Sequence, residues 1–134
     1  RDQIFREVAG SDLPGLVYTC MWDLSSAEDR AYIEEVCDLF RSRGAAVHFV
    51  ELYAPLEERI RRNRTEQRLA AKPSKRDVKA SELRLRTRDT DRVMNTSGSF
   101  FHPEHHVRID NTNLSPREVA EIIINHFQLP SDRS

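Results

Sequence analysis

The chain has 134 residues, of which 38% are hydrophobic and 32% charged, with a formal net charge of −1. This balance excludes a disordered chain, and the length allows one domain with a hydrophobic core. The apolar runs are far shorter than the ~20 residues that a transmembrane helix needs, so no membrane span is expected. Cys20 and Cys37 match no zinc or redox spacing. We therefore predict two reduced core cysteines in a cytoplasmic protein.

The small net charge hides a strong asymmetry along the chain. Residues 59–92 contain thirteen Lys or Arg and five Asp or Glu, a net charge of +8, so the remaining residues carry −9. A basic segment on an acidic body suggests a site for an anion. The alternative is a solvated, arginine-rich helical surface with ion pairs between residues four apart. Composition alone does not decide between the two.

The predicted elements alternate between helices and short apolar strands. Ser26 and Ser115 are expected N-caps, each with an acidic residue three positions later. The last helix is expected to bury Val119, Ile122, Ile123 and Phe127. In chain order, the pattern predicts the end of a helix at 1–10, a strand at 16–22, a helix from Ser26 to Gly44, a strand at 45–53, a helix from Pro55, a polar helix at 78–93, a strand at 105–109 and a helix from Ser115.

This alternation predicts an α/β fold with a parallel sheet covered by helices on both faces. Strands buried on both faces give the continuous apolar runs seen at 16–22 and 45–53. Three parallel strands make a thin sheet, because parallel sheets usually have more neighbours. The pattern is therefore typical of the latter part of a larger α/β fold.

Three segments carry a resemblance to a known family: RNRTEQRL at 62–69, KPSKRD at 72–77 and IDNTNLSPREVA at 109–120. With the strands around them, they resemble the second half of small P-loop kinases, of the kind labelled shikimate-kinase-like or AAA-family ATPases. The resemblance covers residues 12–128. It implies a single three-layer α/β/α domain over residues 1–134, with an arginine-rich, lid-like insert at about 61–92 that closes over a triphosphate.

One part of the family pattern is missing from these residues. P-loop kinases carry the phosphate-cradling Walker A loop, GxxxxGK[ST], between their first strand and first helix. None of the four glycines of this chain is followed by Lys-Ser or Lys-Thr. Because the chain begins with Arg1, we expect the missing strand, loop and helix, roughly forty residues, to precede it. The alternative is a reduced protein that kept the scaffold and lost the reaction.

The basic segment supplies the candidate phosphate-binding residues. Arg61, Arg64 and Arg68 are spaced to share one helix face. The resemblance implies that Arg64 and Arg68 are lid arginines, which stabilise the charge that develops on a transferred phosphoryl group. Further expected phosphate contacts are Arg61, Lys72, Lys75 and Arg76. For all of them the alternative is a solvated surface.

Two further candidates follow predicted strands. Asn111, Thr112 and Asn113 come after the last strand, and ligands of open α/β sheets bind outside the carboxyl ends of strands. The resemblance implies that this loop contacts adenine, and the alternative is a plain turn before the next helix. Asp23 follows the strand at 16–22, where it could hold Mg²⁺ through water or act as a base. It could equally be a turn residue.

The resemblance implies ATP and Mg²⁺ as cofactors and leaves the phosphate acceptor unknown. The histidines of residues 102–106 lack the HExxH pattern, and adjacent strand residues point to opposite faces, so no metal site is expected there. Phe100 and Phe101 alone lie near the basic segment, which argues against a stacking platform for nucleic acid. A non-catalytic interaction or nucleic-acid-binding scaffold is the alternative function. A sheet without its central strand would expose pairing edges, so a homodimer also stays open.

Overall fold

A computed structural model describes residues 2–70, 74–96, 100 and 102–130, without the side chains of Asp2, Gln67, Arg68, Leu69 and Lys75. Lys72 and Phe101 lie outside the described residues. The described part contains five α-helices and a two-stranded parallel sheet, so the architecture is mixed α/β. The elements are α1 (Asp2–Ala9), α2 (Ala27–Arg41), β1 (Phe49–Tyr53), α3 (Leu56–Leu69), α4 (Lys75–Asp91), β2 (His106–Asp110) and α5 (Pro116–Phe127).

The helices begin where polar side chains satisfy the first free backbone N–H groups. The Ser115 hydroxyl accepts a hydrogen bond from the N–H of Glu118 at 3.1 Å, and the Glu118 carboxylate accepts one from the N–H of Ser115 at 3.1 Å. This capping box confirms the predicted start of α5. Ser26 accepts from the N–H of Asp29 at 3.1 Å. The Asp29 carboxylate instead accepts from the N–H of Asp23, so only half of that box forms.

Replacing Ser115 by alanine is expected to destabilise the protein by about 1 kcal/mol, because the side-chain acceptor of this N-cap is lost. Ser115→Asp is the matched control, since aspartate caps as well as serine and should keep the parent stability. The free energy of unfolding from urea titration measures both effects. An unchanged unfolding midpoint in Ser115→Ala would show that the cap does not stabilise α5.

The sheet is formed by two strands that lie far apart in the chain. β1 and β2 pair in parallel, from Phe49 opposite His106 to Tyr53 opposite Asp110. The helices α3 and α4 lie between them in sequence and pack against each other. The described part of the connection between these neighbouring strands therefore contains a pair of helices, followed by a short 3-10 helix at Pro103–His105. The helix α5 follows β2 and packs against it.

The strand predicted at residues 16–22 does not form. These residues have no regular secondary structure, residues 16–21 are exposed, and Val17 is 91% exposed. A parallel strand obtains its backbone hydrogen bonds from a neighbouring strand. In the described sheet β1 and β2 bond to each other, and no ladder includes residues 16–22. The prediction that Cys20 is a core residue was also wrong, because Cys20 is exposed, whereas Cys37 is buried.

Two further predictions overstated burial. The strand predicted at 45–53 is limited to Phe49–Tyr53, and Val50 and Leu52 are exposed rather than covered on both faces. No residue of α5 is fully buried, and Ile122 is 38% exposed. Both results have one cause. A two-stranded sheet has too little surface to bury the apolar side chains of β1 and α5 completely.

The buried residues form small groups between neighbouring elements. Phe5 of α1 is 4% exposed and packs edge-on against Tyr18 and Phe40, at ring-centre distances of 5.0 and 6.2 Å. Ile60 of α3 is 1% exposed, and Ile109 of β2 is also buried. Across the residues described, none of the helices has both the length and the apolar character required to cross a bilayer.

Candidate functional site

The basic segment folds into two helices that are joined by ion pairs. Arg64 of α3 pairs with Glu82 of α4, and Arg59 of α3 pairs with Asp89 of α4. Arg86 of α4 reaches back to Glu57 of α3 at 3.2 Å. Three arginines thus connect the two helices. We call α3 and α4 together the basic helix pair.

Two of the candidate phosphate residues, Arg61 and Arg64, already have acidic partners. Arg61 donates two hydrogen bonds to Glu58, at 2.9 and 2.6 Å. These bonds, with the charges of Arg61 and Arg62 and the hydrogen bond from Arg62, lower the pKa of Glu58 to about 2. Arg64 donates to Glu82 and lowers the pKa of that carboxyl. The side chains of Arg61 and Arg64 are nevertheless 66% and 54% exposed. Both guanidinium groups are accessible to an anion, which would have to compete with a carboxylate.

The structure describes the other candidate residues of the basic segment only in part. Arg68 lies on α3 and Lys75 at the start of α4, but their side chains are outside the described part. Lys72 lies outside the described residues altogether. Arg76 is exposed in the first turn of α4. The structure therefore brings Arg61 and Arg64 to neighbouring turns of α3.

The loop at residues 111–113 lies at the carboxyl ends of both strands. The N–H of Asn111 donates to the carbonyl of Tyr53, the last residue of β1, at 2.9 Å. The Asp110 carboxylate accepts from the backbone N–H of Thr112 at 3.0 Å and from its hydroxyl, and these bonds lower the pKa of Asp110. The loop is thus a turn built by its own side chains, at the edge of the sheet where ligands bind.

Arg62 fastens this loop to α3 and was missed by the sequence analysis. Its guanidinium donates to Asn111 Oδ1 at 2.9 Å, to the Asn111 carbonyl at 2.8 Å and to the Thr112 carbonyl at 3.2 Å. It also donates to Glu58 at 3.1 Å. The only sequence signal was the spacing of four residues between Glu58 and Arg62, which predicts the ion pair but not the contact with the loop.

Asp23 connects two loops instead of ending a strand. Its Oδ1 atom accepts hydrogen bonds from the Ser25 N–H at 3.0 Å, the Ser25 hydroxyl at 2.6 Å and the Val93 N–H at 3.1 Å. The bonds from Ser25 are the main reason that the pKa of Asp23 is lowered. These contacts join the turn before α2 to the segment after α4, as the turn-residue alternative predicts. They do not include Arg61 or Arg64.

A second group of polar residues surrounds Glu51 of β1, and the sequence analysis missed it. The Glu51 side chain, 12% exposed, accepts from Asn95 Nδ2 at 2.7 Å and from the Thr96 N–H and hydroxyl at 2.8 and 2.7 Å. It also contacts His106 and Arg108 of β2, at 2.9 and 3.3 Å. Burial alone would raise the pKa of Glu51, but the hydrogen bonds from Asn95, Thr96 and His106 outweigh it and lower this pKa. Glu51 therefore holds the loop after α4 against the sheet.

The histidines pair with single carboxylates or with aromatic rings. His102 contacts Glu34 of α2 at 2.7 Å, and the His106 ring stacks on Phe100 at 4.4 Å. His48 stacks on Phe127 at 4.3 Å, and burial lowers its pKa. No group of three or more His, Cys, Asp or Glu residues in the described ranges is arranged to hold a metal ion.

The candidate site consists of the basic helix pair and the loop at 111–113, joined by Arg62. Comparison of the chain with protein-family models, with curated proteins and with solved structures finds no match. The functional interpretation therefore depends on the residues and on their geometry.

Proposed function

We propose that the chain is the lid-bearing and adenine-side part of a cytoplasmic, ATP-dependent phosphotransferase or ATPase with a three-layer P-loop kinase-like fold. One observation carries this proposal. The basic helix pair is inserted between two neighbouring parallel strands, and its first helix is fastened by Arg62 to the loop at their carboxyl ends. In this proposal the phosphate-binding arginines and the ligand-facing loop belong to the same edge of the sheet.

In this proposal the arginines bind the phosphate chain. Arg64 and Arg68 neutralise charge on the transferred phosphoryl group, while Arg61, Lys72, Lys75 and Arg76 hold the other phosphates. Arg64 must first leave Glu82. An exposed ion pair contributes only about 0–1 kcal/mol, so a multiply charged phosphate can replace the carboxylate. The phosphate acceptor is a small molecule whose binding residues are not assigned.

Mg²⁺ would neutralise phosphate charge during such a reaction. Asp23 would hold this ion through a water bound to its Oδ2 atom, because the Oδ1 atom already accepts three hydrogen bonds. Mg²⁺ keeps several waters and is held mainly by substrate phosphates together with one or two carboxylates. The residues of this chain would therefore contact the ion through water.

The proposal assigns the phosphate-cradling loop to sequence outside these 134 residues, which contain no GxxxxGK[ST] motif. The test is the coding sequence upstream of Arg1. We expect it to encode a short strand, GxxxxGK[ST] and a helix. A start codon immediately before Arg1 would overturn the catalytic proposal.

The 134-residue chain by itself is expected to bind ATP weakly or not at all, because backbone N–H groups of a P-loop supply much of the phosphate binding. Isothermal titration calorimetry with ATP and Mg²⁺ measures this directly. Micromolar affinity would show that the arginines and the loop at 111–113 bind nucleotide without a P-loop. The circular dichroism spectrum of the same sample shows whether the helices are formed.

A second candidate function is a non-catalytic scaffold that binds other macromolecules. The observation that favours it is the pairing of Arg59, Arg61, Arg64 and Arg86 with carboxylates of the same two helices. Such pairing is typical of a solvated helical surface. The two functions differ in turnover: the full-length kinase hydrolyses or transfers phosphate from ATP, and the scaffold does not.

A further inference from the structure

We propose that Arg62 is a positioning residue that fixes the loop at 111–113 for recognition of the nucleobase, separately from the arginines that bind phosphate. This inference depends on the proposed nucleotide-binding function. It assigns different tasks to two neighbouring arginines of α3, Arg62 and Arg64. Their contacts in the structure differ in the way that these two tasks require.

Arg62 is held by the backbone and a side chain of the loop, not by a carboxylate alone. It reaches the Asn111 and Thr112 carbonyls at 2.8 and 3.2 Å and Asn111 Oδ1 at 2.9 Å. The Glu58 carboxylate holds the other side of the guanidinium at 3.1 Å. The planar guanidinium presents its donors to several acceptors in one rigid fork, whereas a lysine ammonium is a compact charge without this fixed geometry. Arg62 therefore fixes the position of the loop relative to α3.

Arg64 is arranged differently, although it lies two residues further along the same helix. Its partner is a single carboxylate, Glu82, and its side chain is 54% exposed, whereas that of Arg62 is 33% exposed. Arg64 can exchange one anion for another without moving the backbone. Arg62 cannot turn to a phosphate without releasing two carbonyl groups of the loop. The geometry thus favours a positioning task for Arg62, because most of its donors already bind the loop and Glu58.

The contact with Arg62 also determines what Asn111 can offer to a ligand. An arginine only donates hydrogen bonds, so the Asn111 side chain must turn its oxygen toward the guanidinium. The amide nitrogen, Nδ2, then faces away, and it donates to no other residue in the described part of the chain. An NH₂ donor at the carboxyl end of β2 fits an acceptor atom such as a purine ring nitrogen. The loop therefore offers a hydrogen-bond donor that can recognise a base.

The experiment compares two ligands that share a triphosphate chain, of which only ATP also carries the ribose and the base. Binding of ATP and of inorganic tripolyphosphate, each with Mg²⁺, is measured by calorimetry on the full-length protein and its variants. In Arg62→Gln we expect the ATP affinity to fall at least tenfold and the tripolyphosphate affinity to stay within twofold of the parent. In steady-state kinetics, KM for ATP should rise about tenfold while kcat changes less than threefold.

Two variants keep the test specific. Arg62→Lys retains the positive charge but loses the fork, and it should lose ATP affinity as Arg62→Gln does. Arg117→Gln is the control, because Arg117 pairs with Glu121 on the surface of α5 and its side chain is 83% exposed. This control should bind both ligands like the parent.

If Arg62→Gln lowered the affinities for ATP and for tripolyphosphate by the same factor, Arg62 would be identified as a phosphate contact and the inference would be overturned. If Arg62→Gln fails to fold, Asn111→Ala replaces it, since this change removes both the side-chain acceptor for Arg62 and the amide donor that would face the base, and it leaves Arg62 in place. Unchanged ATP affinity in Asn111→Ala would also overturn the inference. A parent protein that binds neither ligand would overturn the proposed function itself, which is a separate result.

Discussion

Replacing Arg64 or Arg68 by alanine in the full-length protein is expected to lower ATP turnover at least tenfold. An arginine that contacts the transferred phosphoryl group can contribute ~10³–10⁵ in rate, so tenfold is a low threshold. The stability of the fold should change little, because the pair of Arg64 and Glu82 is partly exposed and such pairs contribute less than about 1 kcal/mol. Turnover at saturating ATP and the melting temperature measure the two effects.

Arg86→Ala is the matched control for this prediction. Like Arg64, Arg86 makes an ion pair between α3 and α4, and its side chain is 48% exposed. It is not placed among the phosphate-binding residues, so its removal should leave turnover within about twofold, in line with the small value of surface pairs. Equal turnover in all three variants would refute the lid assignment and favour the ion-paired scaffold.

Replacing Glu51 by alanine is expected to destabilise the protein by about 3 kcal/mol. The carboxylate is 12% exposed and accepts hydrogen bonds from Asn95, Thr96, His106 and Arg108. Its removal leaves several part-buried donors without an acceptor. Urea unfolding measures the effect. Glu35→Ala on the exposed side of α2 is the control and should stay within about 0.5 kcal/mol of the parent.

The ionisation of Glu51 also makes the stability of the protein depend on pH, and the direction of this dependence can be derived. The folded-state pKa of Glu51 lies below its ordinary value of 4.5, so the ionised form favours folding. This contribution is complete above pH 4.5 and is lost as the pH falls through the folded-state pKa. Between pH 6 and pH 3 the parent should therefore lose more stability than Glu51→Ala. If both proteins lost the same stability between pH 6 and pH 3, the hydrogen bonds to ionised Glu51 would not stabilise the fold.

Helix positions could be read from the sequence because their signals are local. Ser26 and Ser115 each stand three residues before an acidic residue, and both are N-caps in the structure. The predicted polar helix at 78–93 forms as α4, slightly shifted to Lys75–Asp91. The helix α4 begins before the predicted start, because Ser74 and Asp77 form a capping box with the same local pattern.

Strand formation was harder to predict, because a strand depends on a neighbour that its own sequence does not specify. Residues 16–22 have the composition of a buried strand, yet they lie outside the described sheet. The segments near Phe49 and His106 have similar composition and do pair. What separates these cases is the presence of a partner strand, not propensity.

The side-chain partners of the site could not be predicted for a related reason. Glu51, Asn95 and His106 belong to three separate parts of the chain and meet only through the sheet register and the path of the loop after α4. Arg62 and Arg64 look equivalent in the sequence, but the helix turns one toward the loop at 111–113 and the other toward α4. The number of basic residues was predictable, and the task of each one was not.

The order of elements along the chain also affects how the protein folds. The contact between Glu51 and Arg108 joins residues 57 positions apart, whereas the contact between Arg64 and Glu82 spans 18. Longer loops cost more entropy to close, and contacts between distant residues slow folding. We therefore expect the basic helix pair to form early, from its own short-range contacts. By shortening the path between β1 and β2, it would lower the entropic barrier to pairing of the strands.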